Sequence, residues 1–94
     1  MVIRSVAHKG LRRFIADGSK AGLPAAAVEK IRNMLTFLQD MERAEEVLRL
    51  SHWRAHRLAG TRQGTWSLVV TRNVRLTFRV VLGEIVALDL EDYH

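Results

Sequence analysis

Two hydrophobic periods divide this chain. In the first half, Val28, Ile31, Leu35 and Leu38 recur three or four positions apart, with Glu29, Lys30 and Arg32 elsewhere around the cylinder. That spacing predicts an amphipathic helix with one buried stripe. Leu23-Pro24 marks its opening, since the missing proline N–H costs nothing in a first helical turn. An earlier helix is expected from Lys9 to about Ala16. It stops at Asp17-Gly18, where glycine can adopt the left-handed cap conformation. A short strand over Val2 to Val6 precedes it, and a shorter helix from Met41 or Glu42 to Leu50 follows. Met34 and Met41 read as core fillers.

The second half alternates. Trp66, Leu68 and Val70 take every other position, as do Val74, Leu76, Phe78 and Val80. Ile85 to Leu90 is mostly apolar and is expected inside the sheet. Short linkers at Arg72-Asn73 and Leu82-Gly83 predict antiparallel hairpins, with Asn73 able to supply a positive φ. Gly60 and Gly64 bracket a loop. Trp66 belongs to the core, and Trp53 to packing or a protein contact.

The expected fold class is α+β: an N-terminal strand and two to three helices packed on one face of a three- to four-stranded, mainly antiparallel sheet. With 94 residues, the chain makes a single domain, 1–94. There is no cysteine, hence no disulfide and no thiolate metal site. No signal peptide or membrane-spanning apolar run is visible, so a cytoplasmic protein without membrane association is expected.

Charge sharpens the picture. The net charge is +5, and no acidic residue lies between Arg49 and Leu82, while Val80 to His94 carries acids and no Lys or Arg. Most of the basic residues are arginine, whose planar fork suits phosphate. Nucleic acid is therefore the first partner to consider. If Val74, Leu76, Phe78 and Val80 face the helices, Arg75, Thr77 and Arg79 face the other way and make a basic surface.

The chain ends in Glu91-Asp92-Tyr93-His94, directly after an alternating strand able to hold it. No His pair has the i, i+4 helical spacing of a zinc site, and no glycine-rich phosphate loop or GxSxG elbow occurs. His8 reads as a helix-start residue, and His52 as a loop residue.

Four segments carry a family resemblance: His8-Lys9-Gly10-Leu11, the stretch from His56-Arg57-Leu58-Ala59-Gly60 to Trp66-Ser67-Leu68, Arg72-Asn73-Val74-Arg75-Leu76-Thr77-Phe78, and Asp92-Tyr93-His94. In order and spacing they resemble the HigB toxins, or plasmid-maintenance killer proteins, of the RelE superfamily. The resemblance covers essentially the whole chain and implies a RelE-like toxin domain. It further implies the toxin of a type II toxin–antitoxin pair. Such a toxin cuts mRNA in the ribosomal A site and needs no metal or cofactor. The implied partners are the ribosome with its mRNA and a HigA-like helix-turn-helix antitoxin, through which alone operator DNA is met. A ParE-like gyrase poison and a catalytically weakened antitoxin-binding module are the alternatives.

Carried over position by position, the family's catalytic residues fall on His56, Arg75, Asp92, Tyr93 and His94. Arg57, Arg62, Arg72, Arg79 and Lys9 are the expected RNA or ribosome contacts. Ala59 stands where several relatives carry Lys, and Thr71 where some carry Arg. Arg57 or Arg62 could supply the missing charge. RNA cleavage by its own 2′-hydroxyl needs a base at that hydroxyl, an acid at the leaving 5′-oxygen, and positive charge on the phosphorane. Histidine can perform either proton transfer, and a fixed guanidinium meets the developing charge. Arg75 is assigned that charge, with His94 the first proton-transfer residue and His56 the second. Tyr93 is expected to stack on a base or order the phosphate, and Asp92 to orient a His or act as base.

Overall fold

His8 starts α1 (Lys9–Asp17) as its N-cap, with Nδ1 accepting the Leu11 amide N–H at 3.1 Å. Gly18 ends the helix at φ 80°, its own N–H bonded to the Phe14 carbonyl at 2.9 Å. Gly10 is needed for a different reason: a Cβ there would lie 2.3 Å from the Gly22 carbonyl oxygen. The first turn of α1 thus packs backbone to backbone against the segment that leads to α2 (Val28–Asp40). The computed structural model that shows these elements describes residues 1–92.

Two helix expectations are corrected. Pro24 is extended, with ψ 124°, and opens a 3-10 turn over Ala25–Ala27 before α2 begins. The expected third helix is a pair of 3-10 turns, Ala44–Arg49 and Ser51–Trp53. Its inward-facing residues explain why: Ala44, Val47, Leu50 and Trp53 recur every three positions, which eclipses on a 3-10 helix and drifts on an α-helix. The Glu46 carboxylate tightens the start by accepting the Glu42 and Arg43 amides, each at 2.8 Å. These two bonds hold its carboxyl below the ordinary range.

The sheet has five strands in the order β1-β5-β4-β3-β2. They are β1 (Val2–Ile3), β2 (His56–Arg57), β3 (Thr65–Val69), β4 (Val74–Val81) and β5 (Glu84–Asp92). β1 runs parallel to β5, and the other pairs are antiparallel. The count exceeds the expected three to four because β2, a two-residue edge strand, lies in what reads as loop. β5 lies inside the sheet as expected, between β1 and β4. The Val2–Val6 segment does follow β5, but the register between β4 and β5 shifts between Thr77 and Arg79. There Ala87 takes φ 54° and gives its N–H to Ser5 Oγ at 2.8 Å. This bulge interrupts the β1 ladder, leaving only an isolated bridge from Val6 to Leu88.

The hairpins form where expected, with a different residue in the left-handed region. Leu82 (φ 51°) and Gly83 (φ 77°) make the β4–β5 turn. Asn73 is not among the positive-φ residues. Its N–H instead bonds Thr71 Oγ1 at 3.3 Å, and the β3–β4 turn closes between Val74 N–H and the Thr71 carbonyl at 3.3 Å.

The inner sheet face and the helices share one core. Leu68, Leu76, Phe78, Ile85 and Leu88 are closed to solvent alongside Leu11, Ile31, Met34 and Leu38. Burial of each such side chain contributes about 1.5–3 kcal/mol. Met41, Trp66 and Trp53 are buried too, Trp53 meeting Phe37 edge to face at 5.5 Å. Among the described residues no helix is long and apolar enough to cross a membrane.

Candidate active site

The outer face of the same strands forms a pocket of about 200 Å³, lined by His56, Arg62, Arg75, Thr77, Glu91 and Asp92 together with Leu58 and Ser67. Strand register assembles it. Ser67 pairs with His56 on one side and Thr77 on the other, while Arg75 lies opposite Glu91. These residues fall on one face because alternation puts every second side chain there. This volume is below the roughly 300–1,000 Å³ of pockets that enclose a drug-sized ligand. It suits one segment of a polymer laid across the opening.

The face is not bare. Thr65, Ser67 and Thr77 are buried, each under one-tenth exposed. The loop between β2 and β3 reaches over them, because Arg62 in that loop bonds Glu91 on β5, beyond β3 and β4 in the sheet. The contact is two-pronged: Arg62 Nη1 donates to Glu91 Oε1 at 2.8 Å and Nη2 to Oε2 at 2.5 Å. The Thr77 hydroxyl donates to the same carboxylate. The Arg62 bond is the main reason the Glu91 carboxyl is held below its ordinary range; Thr77 adds to it and burial opposes it. Arg62 is correspondingly pushed up.

Arg75 is fixed from the turn beside it. Its Nη1 donates to the carbonyls of Thr71 at 3.1 Å and Arg72 at 3.3 Å. The guanidinium is therefore placed before any substrate arrives. His56 Nδ1 lies 3.2 Å from the Arg54 carbonyl. A carbonyl only accepts, so Nδ1 is the donor in this contact, and Nε2 is the ring nitrogen left for another partner. Arg54 reaches this position in the left-handed conformation, φ 47°.

The structure thus gathers His56, Arg62, Arg75 and Asp92 from the sequence-predicted set. It does not gather Arg57, Arg72, Arg79 or Lys9. Arg57 pairs with Trp66 in the register and so points to the opposite face. There its guanidinium lies 4.7 Å from the centre of the Trp66 ring and 3.4 Å from Glu45. Arg72 is exposed at the β3–β4 turn. Arg79 is exposed at the register shift, and Lys9 in the first turn of α1. Tyr93 and His94 lie outside the described residues. Sequence reasoning put Thr77 on the outer face and Glu91 in the terminal tail without giving either a role, and it missed Leu58 and Ser67 as site components. The signal for Glu91 was available: it opens the four-residue tail, at a position that hairpin pairing brings opposite Arg75. The pocket is consequently mixed in charge, with two arginines and two carboxylates. Among the described residues no three His, Asp or Glu side chains are grouped to hold a metal ion.

Comparison with known proteins agrees with this architecture. A curated relative, Endoribonuclease HigB of Proteus vulgaris, is 37% identical over 95 residues, covering 99% of this chain and all of that protein. A solved YoeB/ParE toxin from Agrobacterium tumefaciens superposes with a TM-score of 0.54 at 18% identity over the whole chain and 99% of its own length, which establishes the shared fold. The family model for the RelE-like toxin of type II toxin–antitoxin system HigB matches residues 4–94, and the chain belongs to that family.

Proposed function

We propose that the chain is an endoribonuclease toxin that enters the ribosomal A site and cuts mRNA there by attack of the RNA 2′-hydroxyl on the adjacent phosphorus. The observation that carries this reading is the convergence of His56, Arg75 and Arg62 on one small outer-face pocket. An RNA strand laid across it would meet the His56 ring and a pre-placed guanidinium on Arg75. The full-length likeness to an endoribonuclease supports the substrate class.

In the proposed mechanism, a base removes the 2′-OH proton and the resulting oxyanion closes on phosphorus. The phosphorane charge meets Arg75, and an acid protonates the departing 5′-oxygen. Positioned proton transfer of this kind is worth about 10²–10⁴-fold. His56, with Nδ1 turned to the Arg54 carbonyl and Nε2 left for another partner, is assigned the base. His94 is assigned the acid, Tyr93 the stacking or phosphate-ordering role, and Asp92 the support of a histidine. The nucleophile is the RNA's own 2′-oxygen, and the proton transfers and charge stabilisation assigned here use side chains alone.

A type II toxin works with an antitoxin, and we assign that part to a HigA-like helix-turn-helix protein acting in the bacterial cytoplasm. The test is induction of the wild-type chain beside Arg75→Ala and His94→Ala, read by growth and primer extension on a translated mRNA. In-frame cuts lost in both folded variants are expected. Growth arrest without cuts would move the target to gyrase or another protein.

A further inference from the structure

Glu91 is an acid in a pocket read as binding RNA phosphate, where a negative charge alone would be a disadvantage. Its geometry gives it another use. The carboxylate meets Arg62 end-on, one oxygen to each Nη nitrogen. From the other side the hydroxyl of Thr77, 3% exposed, holds it on the sheet. A guanidinium has five N–H donors, and an end-on pair occupies two of them. Arg62 Nε makes no hydrogen bond among the described residues. The lateral edge, Nε–H with one outward Nη–H, is a second fork of the kind that binds phosphate in two-pronged fashion.

We propose that the lateral edge of Arg62 receives a backbone phosphate of the RNA, and that Glu91 is the positioning residue that presents it by gripping the adjacent end-on edge. This rests on the RNA-cleaving reading above and adds to it a phosphate contact and the residue that aims it. The loop supports the assignment. From Leu58 to Gly64, no other side chain makes a hydrogen bond to the sheet among the described residues. Held in this way, Arg62 is ordered before RNA arrives, and less ordering cost falls on binding. Arg57, five residues earlier, serves no such role, since it faces Trp66 and Glu45. The phosphate contact that Ala59 does not provide is thus assigned to Arg62. The Glu91 carboxyl is held below its ordinary range, chiefly by Arg62.

Two variants and two readouts test this. Arg62→Lys keeps a charge that pairs with Glu91 but has no second edge. Glu91→Gln keeps the arginine but loosens the grip. Single-turnover cleavage of translated mRNA, followed against protein concentration, separates half-saturation from maximal rate. In parallel, the Arg62 Nε–H nuclear magnetic resonance signal is followed as a 2′-O-methyl RNA oligonucleotide, which cannot be cut, is added. The expected result is a shifted Nε–H signal in the wild type. Half-saturation should rise about 10-fold or more in Arg62→Lys, the size of one charge-assisted contact, with little change in maximal rate and in melting temperature. Glu91→Gln should show a smaller rise of the same kind. Wild-type half-saturation in Arg62→Lys would reduce the pair to a structural clip. Tighter half-saturation in Glu91→Gln would make the carboxylate a competitor of phosphate and overturn the positioning role. Cleavage with an unmoved Nε–H signal would remove the phosphate contact and leave the nuclease intact. A moving signal without cleavage would do the reverse, and neither would overturn both.

Discussion

On the inner face of the sheet, Leu68, Leu76 and Phe78 are closed to solvent against α1 and α2. One residue along the same strands, Ser67, Thr77 and Arg75 line the outer pocket. Depth does not separate the two faces, since Ser67 and Thr77 are each only 3% exposed. What separates them is what does the covering. The inner face is closed by helices packed through apolar contacts, which tolerate no water and carry the stability. The outer face is closed by a loop tied down through Arg62, Glu91 and Thr77, and it stays open enough to line a pocket. Losses on the first face should therefore appear as unfolding, and losses on the second as lost chemistry in a folded protein.

Phe78→Ala strikes the inner face hardest. It should cost about 3–5 kcal/mol, read by urea denaturation, and toxicity should disappear together with the folded protein. Arg75→Ala strikes the outer face: cleavage should fall about 10²–10³-fold, the cost of removing one donor from a developing charge. Its melting temperature should stay close to wild type. A matching fall in stability would merge the two faces and break the distinction. His56→Ala should lower the maximal cleavage rate by about 10²-fold, again in a folded protein, measured by single-turnover kinetics.

The remaining predictions are smaller. The Glu91 carboxyl titrates below its ordinary 4.5 when folded. Its stabilising contribution is therefore complete above 4.5 and lost as pH falls through the lower folded value. Melting curves taken into acid should show this loss in the wild type and lack that component in Glu91→Gln. Arg57→Ala should leave RNA cleavage within about twofold. Loss of its contact with Trp66 should cost about 0.5–1 kcal/mol of stability, visible as a small shift in the denaturation midpoint. A large cleavage defect in this variant would contradict its place on the helix side.

Some of this was legible in residue order. The i, i+3, i+4 stripe from Val28 to Leu38 located α2 to within a few residues, and the Asp17-Gly18 stop located the end of α1. The alternation from Trp66 to Leu90 located three strands, because burial on one face demands that period. The three-residue spacing of Ala44, Val47, Leu50 and Trp53 was present too, and it reads as 3-10 rather than α once that period is considered. The edge strand β2 was not legible, because two residues carry no periodicity. Its existence depends on pairing with β3. The site was legible in parts. Alternation put Arg75 and Thr77 on one face, but it also put Arg79 there, and the register shift at the bulge leaves Arg79 exposed away from the pocket.

By itself the sequence determined what depends on short-range pattern: the two halves, the period of each, the apolar stripe and face, the arginine-rich composition, and the words that carry the family resemblance. Tertiary structure decided which distant residues share a pocket. Arg57 and Arg62 are five positions apart and look equivalent in the chain. One stacks on Trp66 behind the sheet, and the other crosses the front of it to Glu91. That difference is set by strand register and by the path of a glycine-flanked loop. Both depend on how segments far apart in the chain pack together, which local propensity does not encode.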